Sequence, residues 1–87
     1  MSSYLMTWIV RAQHDGEYRL RLVFNDGRTG VVDLRELAFN DSRQIVRDLQ
    51  DPTLFQRFHV DLDTVVWENG FDLAPESLYE KALITMV

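Results

Sequence analysis

The chain has 87 residues, 46% hydrophobic and 11% aromatic, with 14 acidic against 9 basic side chains and a net charge of −5. That length supports one core, so residues 1–87 are read as a single compact domain, and the composition is that of a globular protein. The lack of cysteine excludes disulfides, thiolate metal centres and cysteine nucleophiles, and the negative balance argues against general nucleic-acid binding.

No apolar run reaches the ~20 residues that a spanning helix needs. Residues 1–10 lack the basic, apolar and small-residue succession of a secretory leader. The expectation is no membrane association and a cytoplasmic protein. The charge is unevenly spread. Residues 58–87 hold Lys81 alone against Asp61, Asp63, Glu68, Asp72, Glu76 and Glu80, so the whole net charge of −5 resides there. Such a stretch is either a solvated face that keeps the protein soluble or a docking surface for a basic partner.

In chain order, residues 7–12 are rich in β-branched and aromatic side chains and predict a first strand. His14-Asp15-Gly16-Glu17 supplies a turn. Residues 18–24 alternate, with Tyr18, Leu20, Leu22 and Phe24 on one face and Arg19 and Arg21 on the other, the period of a half-buried strand. Asn25-Asp26-Gly27 is a hairpin signal, and residues 29–33 are the returning strand. Asp33 with Glu36, and Asp41 with Gln44, have the spacing of capping boxes ahead of short helices, the second over about residues 42–49. Asp51-Pro52 places proline at the first position of a helix over about 52–57. Residues 58–67 predict a second hairpin bending at Asp61-Leu62-Asp63-Thr64. After Asn69-Gly70, a last helix starts at Pro75, its inner face marked by Leu78, Tyr79, Ala82 and Leu83, and residues 84–87 are an apolar tail, expected either to pack or to have been cut from something longer. The fold class expected is α+β: an antiparallel sheet, made of a three-stranded N-terminal meander plus a second hairpin, packed with short helices.

Catalytic signatures are missing. The histidines His14 and His59 stand apart, and Asp61-Leu62-Asp63 fails as a calcium loop because Val65 and Val66 occupy the positions of a further oxygen ligand and a glycine. Ser77 and Thr64 lack the glycine-flanked nucleophile elbow. Gly16, Gly27, Gly30 and Gly70 are too scattered to cradle a phosphate. Glu68 and Asp72 are the carboxylates nearest to an acid–base pair. The expectation is a non-enzyme with no metal and no cofactor.

The stretch with the most position-sensitive residues runs from Trp67 to Tyr79. Trp67, Gly70, Pro75, Leu78 and Tyr79 read as a structural motif of strand end, turn, helix start and core. Asn69, Phe71, Asp72 and Glu76 are the candidate binding residues, because a rigid strand-to-helix loop is a natural recognition element. Arg11, Arg19, Arg21 and Arg28 form a candidate nucleic-acid patch, against the alternative that they pair with acids of the same surface.

The chain resembles a family of small bacterial proteins described as domain of unknown function 2442. The resemblance runs through Leu22-Val23-Phe24-Asn25-Asp26-Gly27, Val32-Asp33-Leu34 and Leu49-Gln50-Asp51-Pro52-Thr53-Leu54-Phe55. It is most specific over residues 67–76 with Leu78-Tyr79. Where this chain has Glu68 and Phe71, the family pattern more often has proline and alanine. The resemblance implies a compact α+β fold without assigned activity or cofactor. It also implies genes that often neighbour a second small family, domain of unknown function 4160, in an arrangement like a toxin–antitoxin pair. Three readings follow: a non-catalytic module binding a small basic protein encoded nearby, antitoxin-like in role; a small-molecule binder or enzyme using the loop from Asn69 to Glu76; and a weak nucleic-acid binder through the arginines. Self-association through a sheet edge is compatible with each.

Overall fold

The computed structural model describes residues 6–82, and structural statements below refer to these. The element order is β1 (Ile9–His14), β2 (Arg19–Phe24), β3 (Thr29–Asp33), α1 (Arg35–Asn40), α2 (Gln44–Arg47) with a 3-10 turn at Asp48–Gln50, α3 (Pro52–Phe55), β4 (Phe58–Asp61), β5 (Thr64–Trp67) and α4 (Pro75–Ala82). The first three strands form an antiparallel meander, and β4 and β5 a separate hairpin. This is the α+β architecture the alternation predicts. Leu20, Leu22 and Phe24 of β2 are buried while Arg21 is exposed, so one face of the meander supplies the core. Val46, Leu49 and Phe55 of the helical middle, Val65 and Trp67 of β5, and Leu78 and Ala82 of α4 complete it. Helices of four to eight residues are too short to persist alone and depend on that packing.

One turn design occurs twice. After β2, Gly27 N–H donates to the Phe24 carbonyl and Phe24 N–H to the Arg28 carbonyl, both at 2.9 Å. After β5, Gly70 N–H donates to the Trp67 carbonyl and Trp67 N–H to the Phe71 carbonyl, both at 2.8 Å. The glycines have φ of 87° and 94°, the left-handed conformation that closes a three-residue loop. In each loop the residue before glycine accepts the second N–H beyond it: Asp26 from Arg28 at 2.9 Å and Asn69 from Phe71 at 3.1 Å.

Several boundaries depart from those the sequence predicts. The first strand begins at Ile9 rather than Thr7 and runs through His14, because residues 6–8 are held differently: Asn25 accepts the Trp8 N–H at 2.9 Å and donates to the Met6 carbonyl at 2.8 Å. The second strand starts at Arg19, one residue after Tyr18. Neither capping box forms. Leu34 must enter the core, at 1% exposed, so α1 starts after it, and Asp33 accepts from Arg35 N–H at 2.9 Å without serving as N-cap. Asp41 is engaged by Arg43, whose N–H, Nε and Nη2 donate to it at 2.8, 3.0 and 2.9 Å, and the helix expected over residues 42–49 shrinks to α2 and the 3-10 turn. Asp51 does cap α3, accepting from Thr53 N–H at 2.9 Å with Pro52 in the first turn, but that helix stops at Phe55. Leu83 and residues 84–87 lie outside the described residues. No helix among those described is long and apolar enough to cross a membrane.

Candidate functional site

Trp67 ends β5 with its indole inside the molecule. The side chain is 1% exposed, its Nε1–H donates to the Phe55 carbonyl at 2.8 Å, and its ring meets those of Phe55, Phe58 and Phe71 at centroid distances of 5.9, 6.1 and 5.8 Å. A buried indole N–H needs a partner, and the end of α3 supplies it.

The candidate binding residues that follow divide in two. Asn69 is half-buried, and its Nδ2 donates to the Ile45 carbonyl at 3.0 Å, pinning the loop to α2. Phe71 is buried, with the Arg43 guanidinium 5.7 Å from its ring centroid. Asp72 and Glu76 are exposed, Asp72 continuing the chain as an antiparallel bridge opposite Val66. Of the four candidates two are therefore turned inward, while Asp72 in the loop and Glu76 in the first turn of α4 leave their carboxylates in solvent.

Of the structural motif, Leu78 is buried in the core and Pro75 opens α4. Tyr79 is half-buried with its ring edge-on to Phe24 at 4.9 Å. Its hydroxyl donates to Asp26 Oδ2 at 2.8 Å and accepts from Arg28 Nη1 at 3.2 Å, tying α4 to the β2–β3 loop. Burial opposes the ionised Asp26 carboxyl, but the Arg28 N–H, the Tyr79 hydroxyl and the Arg28 charge together hold it below the ordinary carboxylate range. The bond to Asp26 raises the Tyr79 phenol in return.

Beside Trp67, along the β4–β5 hairpin, lies an open cleft of about 570 Å³. Arg57, Phe58, His59, Asp61, Val66, Trp67, Glu68 and Gly70 line it. Arg57 pairs with Glu68 at 3.4 Å and His59 approaches Asp61 at 3.9 Å. All four side chains are more than half exposed, between 58% and 61%, so attraction within either pair is strongly screened and the four groups remain available to others. Among the described residues no three His, Asp or Glu side chains converge as metal ligands.

The arginine patch is largely neutralised. Arg19 lies near Asp15 and Glu17, Arg21 near Asp15, and Arg28 near Asp26, leaving Arg11 exposed without such a neighbour among the described residues.

A second surface has little trace in the sequence. Leu62 is 87% exposed at the β4–β5 tip, and Trp8 and Val10 are 37% and 53% exposed. The Ile9 N–H donates to the Asp63 carbonyl at 2.9 Å, bringing the backbone of residues 8–10 alongside that tip. Leu62 and Asp63 have φ of 52° and 71°. A two-residue loop with both residues left-handed ordinarily takes Asn-Gly or Asp-Gly, so leucine there was the available signal: a turn residue chosen neither for burial nor for backbone ease.

No curated protein and no solved structure matches the chain. The family model described as "Protein of unknown function (DUF2442)" matches residues 9–83. That span takes in both sheets, the helical middle and the Trp67–Tyr79 passage, and the chain accordingly belongs to the DUF2442 family.

Proposed function

We propose that the chain is a non-catalytic protein-binding module of the cytoplasm, the antitoxin-like member of a two-gene pair, whose partner is a small basic protein encoded nearby. The observation that carries the reading is Leu62, held in solvent and in a left-handed conformation between Asp61 and Asp63. Such a residue contributes nothing to the core and strains the loop. Contiguous exposed apolar patches rimmed by polar groups mark interaction surfaces. A partner offering an apolar pocket bordered by Lys and Arg would cover Leu62, reach the neighbouring Trp8 and Val10, and pair with the two aspartates. The gene arrangement implied by the family resemblance supports the same class of partner.

The small-molecule reading has less support, because Asn69 and Phe71 are committed to internal contacts. The nucleic-acid reading is weakened by the carboxylates beside Arg19, Arg21 and Arg28. The test is coexpression of the tagged chain with the product of the adjacent gene, alongside a Leu62→Asn variant. The expected result is a defined complex with the native chain and at least a roughly ten-fold weaker one with the variant, the loss of one apolar anchor. A neighbour that is not captured, or is captured equally by both chains, overturns the reading.

A further inference from the structure

The geometry points to a second copy of this chain as the occupant of the free edge of β4, added as an antiparallel strand with His59 facing His59 across a two-fold axis. The inference does not rest on the proposed partner. Main-chain alternation identifies the edge. Glu68 N–H donates to the Arg57 carbonyl at 2.8 Å, while the Arg57 N–H turns back to the Leu54 carbonyl at 2.9 Å, so the Arg57 carbonyl and the main-chain groups of His59 and Asp61 face β5, and Phe58 and Val60 direct theirs away. Among the described residues those outward groups have no hydrogen-bond partner. The far side of β5 is different, since Asp63 accepts from Ile9 and Trp67 donates to Phe71. Unpaired strand edges are templates for another strand.

The side chains select both occupant and register. Leu62 and Asp63 are left-handed, which ends the extended segment at Asp61. Within that segment, an antiparallel copy satisfies Phe58 and Val60 when Phe58 exchanges main-chain bonds with Val60 of the second copy, and Val60 with its Phe58. That register sets Arg57 opposite Asp61 of the second copy, at both ends of the pair. Apolar side chains then meet on the face shared with Val65 and Trp67, and opposite charges meet on the face shared with Val66 and Glu68. A symmetric contact requires such self-complementarity. Among the described residues the ion-pair neighbours of Arg57 and Asp61 are the exposed Glu68 and His59, so both can turn to a partner strand.

The experiment is sedimentation velocity over a wide concentration range, with amide hydrogen exchange read by NMR at low and high concentration. A short strand pair predicts a weak dimer that forms as concentration rises, with Phe58 and Val60 amides gaining protection in step. Asp61→Arg places arginine opposite Arg57 and weakens the dimer roughly ten-fold or more, while the swap Arg57→Asp with Asp61→Arg restores it. Val60→Pro removes an outward N–H that β5 does not use and abolishes the dimer. A chain monomeric at every concentration, a dimer whose protection lies elsewhere, or a charge swap as weak as Asp61→Arg alone overturns the inference.

Discussion

Replacing Trp67 by phenylalanine tests the centre of the packing argument. The substitution keeps an aromatic ring but deletes the indole N–H, so the Phe55 carbonyl, which accepts it at 2.8 Å, loses a partner in a site where Trp67 is 1% exposed. An acceptor left unsatisfied out of water is destabilising by about 1–3 kcal/mol. The smaller ring also leaves space among Phe55, Phe58 and Phe71, and partial core truncations of this kind add about 1 kcal/mol. The expected loss is about 2–4 kcal/mol, from a total of about 4–13 kcal/mol for a chain this size. Urea denaturation followed by circular dichroism measures it, with Trp8→Phe as the control. Trp8 is 37% exposed, so its substitution is expected within about 0.5 kcal/mol of the native chain. A Trp67→Phe loss below about 1 kcal/mol, or one no larger than that of Trp8→Phe, would refute the reasoning.

Tyr79→Phe retains the ring on Phe24 but removes the bonds to Asp26 and Arg28, and a lower urea midpoint is expected, by less than for Trp67→Phe because these bonds are solvent-exposed. Replacing Leu62-Asp63 by Asn-Gly relieves two left-handed residues and is expected to stabilise the fold by about 1 kcal/mol or more, while the partner proposed above loses its anchor. A double variant that gains stability yet keeps full partner affinity would contradict Leu62 as that anchor. Acid titration of the urea midpoint probes the carboxylates. Side-chain bonds from Arg43, then its N–H and charge, hold Asp41 at about 2, and Asp26 is also lowered. Both folded values lie below the unfolded one, so their contribution is present above about pH 4 and is lost as pH falls toward 2. Asp41→Asn is expected to flatten that decline, and an unchanged slope would contradict it.

Much of the fold was legible in short-range pattern. Alternation through Leu20, Leu22 and Phe24 marked β2, Asp-Gly and Asn-Gly marked the two glycine turns, and Asp51-Pro52 marked the start of α3, because period and turn chemistry act between near neighbours. The failed capping boxes show where that reach ends. Whether Asp33 caps a helix depends on Leu34 being drawn into a core assembled from distant strands. The candidate site was less legible. That Trp67 and Leu78 are inside followed from their surroundings in the chain, but Asn69 holding Ile45 and Asn25 holding Met6 and Trp8 join residues 17 to 24 positions apart, beyond any local signal. The exposure of Leu62 and the free edge of β4 were decided only by the tertiary structure. A strand's two edges and a loop's solvent side are identical in sequence until other segments have taken their places, and here Ile9 and Phe71 took one edge of the hairpin and, among the described residues, left the outward main-chain groups of Phe58 and Val60 on the other unpaired.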